Sequence, residues 1–201
     1  HGDFMRMQVP EGVRHIMDVA ISGNGEPTSA EEFPTVVELA GQILQEFELA
    51  PQVRLRVITN GSLVSRDYVQ RGLQYLAMAG GEAWFKVDAG TAEGIAQING
   101  VSLTPDQVVR NLRCCAELCP TWVQTCMFKL DGVGPGKDEV TAYLALLEKA
   151  GIEKLQGVLL YGLARPSMQA EATRLSALTQ TELAAIAARI TAQGLTVSVN
   201  P

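Results

Sequence analysis

The sequence predicts an α/β protein built on about six parallel strands. Two observations carry this. Short apolar runs alternate with longer segments of helical periodicity, and the pattern repeats along the whole chain. Each run also ends in a polar, glycine-containing turn, and such turns cluster where the carboxyl ends of parallel strands gather into a site. The periodicity leaves two architectures open, an open sheet and a (β/α) barrel.

Taken in order, residues 3–14 read as polar and irregular, punctuated by Pro10 and Gly12, with Phe4–Val9 as a short extended piece. Met17–Ile21 is the first strand and runs into Ser22-Gly23-Asn24-Gly25-Glu26-Pro27. A helix follows, with Ser29 and Glu32 as its capping box and apolar residues at 33, 36, 37, 40, 43, 44 and 47. Val53–Ile58 is the second strand, ending in Thr59-Asn60-Gly61, and a helix starts at Ser65 or Arg66. Glu82–Val87 is the third, ending in Asp88-Ala89-Gly90-Thr91, with a short helix over Glu93–Ile98. Thr104 caps the next helix, with Pro105 at its first position and Gln107 completing the box. Trp122–Lys129 reads as one long fourth strand, followed by the glycine-rich stretch Leu130–Lys137 and a helix over Glu139–Ala150 closed by Gly151. Leu155–Tyr161 is the fifth strand and Met168–Ser176 a loop. Thr179 and Glu182 box the last helix, Gly194 stops it, and Leu195–Val199 is a final strand.

Composition narrows the function. The 201 residues are 47% hydrophobic and 19% charged, which is globular rather than disordered. A net charge of −6 without a basic run gives no nucleic-acid footprint. No stretch approaches the roughly 20 apolar residues of a membrane helix. Cys114, Cys115, Cys119 and Cys126 crowd into one helix–strand unit without a CxxC. That pattern does not suit a secreted disulfide framework and fits a reducing, cytoplasmic compartment. Small buried residues is the reading preferred for them over a metal site.

The first turn has a chemistry of its own. Gly23 and Gly25 put no side chain between the backbone and a ligand, and the Glu26 carboxylate with nearby carbonyls suits a cation such as an ammonium. The turns together resemble the radical S-adenosylmethionine enzymes, in the Fe–S oxidoreductase branch similar to wybutosine-synthesis and pyruvate formate-lyase-activating enzymes. Ser22–Thr28 looks like that family's Gly-Gly-Glu motif, and Thr59-Asn60-Gly61 like its third-strand turn. Lys86–Thr91 resembles the fourth-strand segment, with Asn99-Gly100 after it, and 158–167 (VLLYGLARPS) the sixth-strand segment. The family's CxxxCxxC, which lies upstream of the Gly-Gly-Glu turn, is not in this sequence; no cysteine precedes Cys114.

The resemblance implies a single domain over residues 1–201, a partial (β/α) TIM-type barrel truncated at the N-terminus and missing its first strand. It implies adenosylmethionine as cofactor beside a [4Fe-4S] cluster whose three thiolates lie upstream, and reductive cleavage to a 5′-deoxyadenosyl radical acting on an unknown substrate. Gly23, Asn24, Gly25 and Glu26 would hold the ammonium with help from Asn60. Lys86 would take the carboxylate, Asp88 the ribose hydroxyls, and Tyr161 and Gly162 the flanks of the adenine. Arg165 would meet an acidic substrate group. A flavodoxin or ferredoxin would supply the electron, and the chain alone is expected to be inactive. The first strand's outer edge is expected to be covered by the N-terminal segment or a second copy; a bare edge would count against the truncation. Two competing functions stand beside this one: a cluster-less α/β module that binds a nucleoside-like ligand or a partner, and an unrelated barrel lyase with Lys86 or Lys129 as a Schiff-base amine.

Overall fold

A computed structural model describes residues 2–23, 25–99, 103–163 and 171–200. Its centre is a six-stranded parallel sheet of β1 (Asp18–Ile21), β2 (Arg54–Thr59), β3 (Glu82–Lys86), β4 (Thr121–Cys126), β6 (Leu155–Tyr161) and β8 (Val197–Asn200), in that spatial order. The two end strands do not pair with each other, so the barrel is partial and open. A second, two-stranded antiparallel ribbon joins β5 (Phe128–Leu130) to β7 (Leu175–Ala177).

Helices α2 (Phe33–Glu46), α3 (Asp67–Met78), α5 (Pro105–Leu118), α6 (Lys137–Ala150) and α7 (Gln180–Thr191) cover one face, while the short α4 (Ala92–Asn99) follows β3. The sheet's covered face is the core. Leu55, Val57, Ala83, Phe85, Val123, Val158 and Leu160 alternate along their strands and are at most 1% exposed. They pack with helix residues such as Val37, Leu73, Leu112, Tyr143 and Leu147. Thr125 and Tyr143 are fully buried and satisfy each other's hydroxyls at 2.8 Å. The helix boundaries follow local chemistry. Capping boxes at Thr104/Gln107 and Thr179/Glu182 open α5 and α7, and Gly151 in the left-handed region closes α6.

The opposite face of the sheet is polar. Asp18, Arg56, Glu82 and Trp84 form one network across three strands. Arg56 pairs with both Asp18 and Glu82, the latter at 2.8 Å, and stacks 4.7 Å above the Trp84 ring. Trp84 and Trp122 lie in register on adjacent strands.

Several expectations are corrected. Residues 122–129 are two elements: the chain leaves the sheet after Cys126, Met127 is buried, and β5 pairs with the ribbon partner β7. The loop expected over 168–176 contains a 3-10 turn at Ala172–Arg174 and the start of β7; residues 164–170 lie outside the described residues. Phe4–Val9 is not extended. Gly2–Gln8 is helix α1, which has no β-branched residue and an Asp3–Arg6 pair at 3.0 Å, and it ends before Val9-Pro10 because a residue before proline disfavours helical geometry. The Ser29/Glu32 box does not form. Glu26 instead caps a 3-10 turn over Pro27–Ser29, and α2 begins at Phe33 without a side-chain cap. Gly2–Gln8 is helical and so adds no strand to β1, whose ladder partner among the described residues is β2 alone. Among the described residues no helix is long and apolar enough to cross a membrane.

Candidate functional site

The carboxyl ends of the parallel strands hold two connected groups of polar residues. The first joins the turns after β1 and β2. The Glu26 carboxylate accepts from four donors: on Oε1 the Thr28 amide at 3.2 Å and the Thr28 and Thr59 hydroxyls, each at 2.6 Å, and on Oε2 the Asn60 amide at 2.7 Å. Thr28 and Thr59 are at most 1% exposed, so Glu26 is their means of satisfaction. Thr59 Oγ1 in turn accepts from the Gly61 amide, and Asn60 Oδ1 from Ser62. Gly61 needs to be glycine twice over: its φ is +69°, and an added Cβ would lie 2.0 Å from the Phe85 ring. Around Gly23 and Gly25 the space is open, with nothing within 4 Å of a Cβ at Gly25 and only Gly25 backbone, at 3.8 Å, near one at Gly23. Asn24 lies outside the described residues.

The second group gathers the ends of β3, β4 and β6. Lys86 Nζ stands 3.3 Å from Asp88 Oδ2 and 3.4 Å from the Tyr161 hydroxyl. Asp88 is 5% exposed and accepts the Cys126 amide on Oδ1 at 2.8 Å. β4 and β6 are in register at Cys126 and Tyr161, and the Cys126 thiol points to the Gly162 carbonyl, 3.9 Å away. Asn60, Lys86 and Asp88 line one small hollow, which connects the two groups.

Electrostatics sets the protonation states. Burial opposes the charge on Lys86, but the Asp88 carboxylate and Tyr161 outweigh it, so its pKa lies above the ordinary lysine value. A Schiff-base amine needs the reverse, a lowered pKa, and this geometry therefore speaks against Lys86 as a nucleophile. Lys129 is held 2.9 Å from Glu182 on α7. Burial, and after it the Asp88 charge, pushes the Cys126 thiol up to about 11, so it is a neutral thiol at pH 7. Burial likewise raises Tyr161 and keeps it a phenol.

The structure thus brings together Glu26 with Asn60, and Lys86 with Asp88, Tyr161 and Gly162, while Arg165 lies outside the described residues. Three groups at this face went unread in the sequence. Thr28 and Thr59 carried no signal beyond their place in turns. Cys126 was read as the interior of a longer strand. Glu139, in the first turn of α6, accepts from the Gly90 amide, the Thr91 amide and the Thr91 hydroxyl, and so ties the turn after β3 to the next helix. Gly90 is required there because a Cβ would lie 2.0 Å from the Tyr143 nitrogen, in the α6 backbone.

The residues fit adenosylmethionine better than they fit a cluster. A buried carboxylate, a charged lysine and a phenol at strand ends suit hydroxyls, a carboxylate and a ring. Among the described residues no three His, Cys, Asp or Glu side chains come together as metal ligands. Cys115 and Cys119 are buried at the far end of α5, near Thr121 at the start of β4, and Cys126 is at the opposite end of that strand. These thiols do not fit a [4Fe-4S] cluster.

No family model and no curated protein matches the sequence. Solved structures do match the fold. A domain of a pyruvate-formate lyase-activating enzyme from Bacteroides vulgatus superposes with a TM-score of 0.65 at 14% identity, covering 91% of this chain and 98% of that one. A radical SAM methyltransferase from Sphaerobacter thermophilus superposes with a TM-score of 0.62 at 14% identity, covering 94% of this chain but 52% of the methyltransferase, so the chain spans about half of that enzyme's length. The open parallel barrel is therefore a fold that these two proteins share, one of them a radical SAM methyltransferase.

Proposed function

We propose that this chain is the adenosylmethionine-holding part of a radical SAM enzyme. The observation that carries the reading is the convergence of Lys86, Asp88 and Tyr161 at the ends of β3 and β6, beside turns pinned by Glu26. Lys86, held charged, pairs with the cofactor's carboxylate; Asp88, with Oδ1 on the Cys126 amide and Oδ2 beside Lys86, keeps a further lone pair on Oδ2 for ribose hydroxyls. Oε2 of Glu26 carries a single bond here and retains acceptor capacity for an ammonium. Gly23 and Gly25 leave the approach open, Asn60 sits between the two groups, and Tyr161 with Gly162 borders the ring. Arg165 is assigned to an acidic group of the substrate. In this reading the protein orients the ligand and keeps water out, and the bound adenosylmethionine supplies radical chemistry once a reduced cluster is present.

Because the cysteines here do not fit that cluster, its thiolates are assigned to a segment outside these residues. The electron donor, of the flavodoxin or ferredoxin kind, belongs to the same assembly. The outer edge of β1, which has no ladder partner among the described residues, is assigned to pairing with another strand or a second copy of the chain, and an edge left bare in solution would count against the truncation; cytoplasmic location follows the free cysteines.

The test is calorimetric titration of the chain with S-adenosylmethionine. Lys86→Met and Tyr161→Phe are expected to weaken binding at least tenfold, while Glu117→Gln on the exposed side of α5 leaves it unchanged. Absence of binding by the parent chain, or equal binding by all four proteins, overturns the assignment. The cysteine placement favours one second reading, a cluster-less module; equal affinity for adenosine and adenosylmethionine would support it. Anaerobic iron and sulfide reconstitution of a longer gene product carrying CxxxCxxC, with 5′-deoxyadenosine formed on reduction, would establish the enzyme.

A further inference from the structure

The plain strand–helix repeat has no need of the β5–β7 ribbon. It is nevertheless held firmly. Arg174 grips Asp131 with Nη2 to Oδ2 at 2.6 Å and Nε to Oδ1 at 3.0 Å, and the Asp131 amide donates to the Arg174 carbonyl at 2.8 Å. Lys129 ties the same ribbon to α7 through Glu182. Braced this way, β5 stands above the carboxyl end of β4 and faces α4. Between them lies a cavity of about 300 Å³, adjoined by a second hollow of about 210 Å³ that shares Gln97, Ile98, Phe128 and Leu130 with it. The cavity reaches the lower end of the size range of small-molecule sites.

Its walls and its floor differ in chemistry. Ile98, Phe128, Leu130 and Val133 make apolar walls, and Val133 is 72% exposed although nothing in the turn's geometry requires an apolar residue there. The floor is Asp88 and Cys126, and Glu139 stands at the rim. Asp88 belongs also to the group that holds Lys86, so the cavity opens onto the site already described. Among the described residues the charged groups that line it are Asp88, which Lys86 neutralises from 3.3 Å, and Glu139, which accepts from the uncharged donors of Gly90 and Thr91, while Arg174 at the second hollow is committed to Asp131. An anionic ligand would meet repulsion here, and a donor head would meet acceptors.

We infer that this cleft binds one end of the substrate, an apolar body with a neutral or cationic hydrogen-bond-donor head, seated with the head at Glu139, whose Oε2 carries a single bond, and the body between β5 and α4; the acidic group assigned to Arg165 belongs to the substrate's other end. The role as substrate site rests on the function proposed above; the binding itself does not. Nothing in the cleft requires adenosylmethionine to be present.

The probe is Prodan, a neutral naphthalene dye whose emission shifts to the blue in apolar surroundings, displaced by an eight-carbon series differing only in head group. The chain is expected to bind the dye. Octylamine and octanol are expected to displace it at concentrations at least tenfold below octanoate. Ile98→Asp and Val133→Asp place a carboxylate on a partly or fully exposed wall position, and each is expected to weaken dye binding at least tenfold with an unchanged thermal unfolding midpoint. A dye that does not bind, that binds both variants as well as the parent, or that octanoate displaces as well as octylamine does, overturns the inference. Should a variant fail to fold, Leu130→Asn and the head-group order on the parent chain decide it. Titration with adenosylmethionine on the same proteins separates the two ideas: loss of dye binding with cofactor binding intact touches the cleft alone, and failure of cofactor binding with the dye selectively bound touches the proposed function alone.

Discussion

Glu26 is where a structural and a ligand-binding role predict opposite outcomes. Replacing it with alanine strips the acceptor from two hydroxyls on residues at most 1% exposed, Thr28 and Thr59, and from the Asn60 amide. A buried donor left unsatisfied costs about 1–3 kcal/mol. Glu26 itself is only half-buried, so water reaches part of the gap, and about 1 kcal/mol for each of these three donors is the appropriate scale, about 3 kcal/mol in all. Glutamine keeps an oxygen for the three donors on Oε1 but sets an amide nitrogen against the Asn60 N–H; that loss is about 1.5 kcal/mol. With a urea slope of about 2.5 kcal/mol/M, the midpoints should fall by about 1.2 M for Glu26→Ala and about 0.6 M for Glu26→Gln. The assay is urea unfolding followed by far-ultraviolet circular dichroism, without ligand. A carboxylate kept only for a ligand's cation would leave both midpoints where they are. An alanine shift below about 0.3 M would refute the reasoning that Glu26 satisfies these donors and, through Thr59 and Asn60, joins the β1 and β2 turns.

Gly90→Ala should prevent folding or cost about 4 kcal/mol or more, because the new methyl meets helix backbone at 2.0 Å; soluble yield and thermal unfolding report it. At pH 8 the Cys126 peptide should be alkylated by iodoacetamide about 100-fold more slowly than a thiol of ordinary pKa, as read by mass spectrometry, with the rate climbing tenfold per unit towards pH 11. The sign for stability is the same: the folded thiol's pKa is raised, so its contribution is intact below about pH 9 and is lost as pH rises through about 11. A double-mutant cycle on Thr125→Val and Tyr143→Phe should return a coupling of about 1 kcal/mol in urea unfolding, since each hydroxyl is the other's buried partner.

What could be read from the sequence alone was what local chemistry decides. The boxes at Thr104 and Thr179 span three residues, and nothing distant competes for those side chains. The Ser29/Glu32 box has the same local spacing but loses to Glu26, which takes the Thr28 amide and starts the turn earlier. Residues 122–129 are continuous in hydrophobicity, and the partner that draws β5 out of the sheet sits at 175–177, beyond any local window. The site divides likewise. Lys86, Asp88 and Tyr161 stand at strand ends, where a parallel sheet exposes its polar residues, and the resemblance of those strand-end segments to a known family marked them. Glu139 serves a turn 48 and 49 residues away, and no periodicity connects the two.

The strand order has a consequence for how the molecule is assembled. Each strand of the main sheet lies beside the sheet strand that precedes it in the chain, so the sheet grows at one edge only, from β1 towards β8. A chain synthesised from its N-terminus always finds its template already made, and no strand must be inserted between two others. Breaks should therefore be tolerated unequally. Loss of the last unit, α7 with β8, shortens the sheet and bares the edge of β6, whereas loss of β3 would separate β2 from β4 and divide the stack in two. Growth in one direction also makes the polar face a product of accumulation: the network from Asp18 through Arg56 to Glu82 closes with the third strand, before the site's Tyr161 has been synthesised.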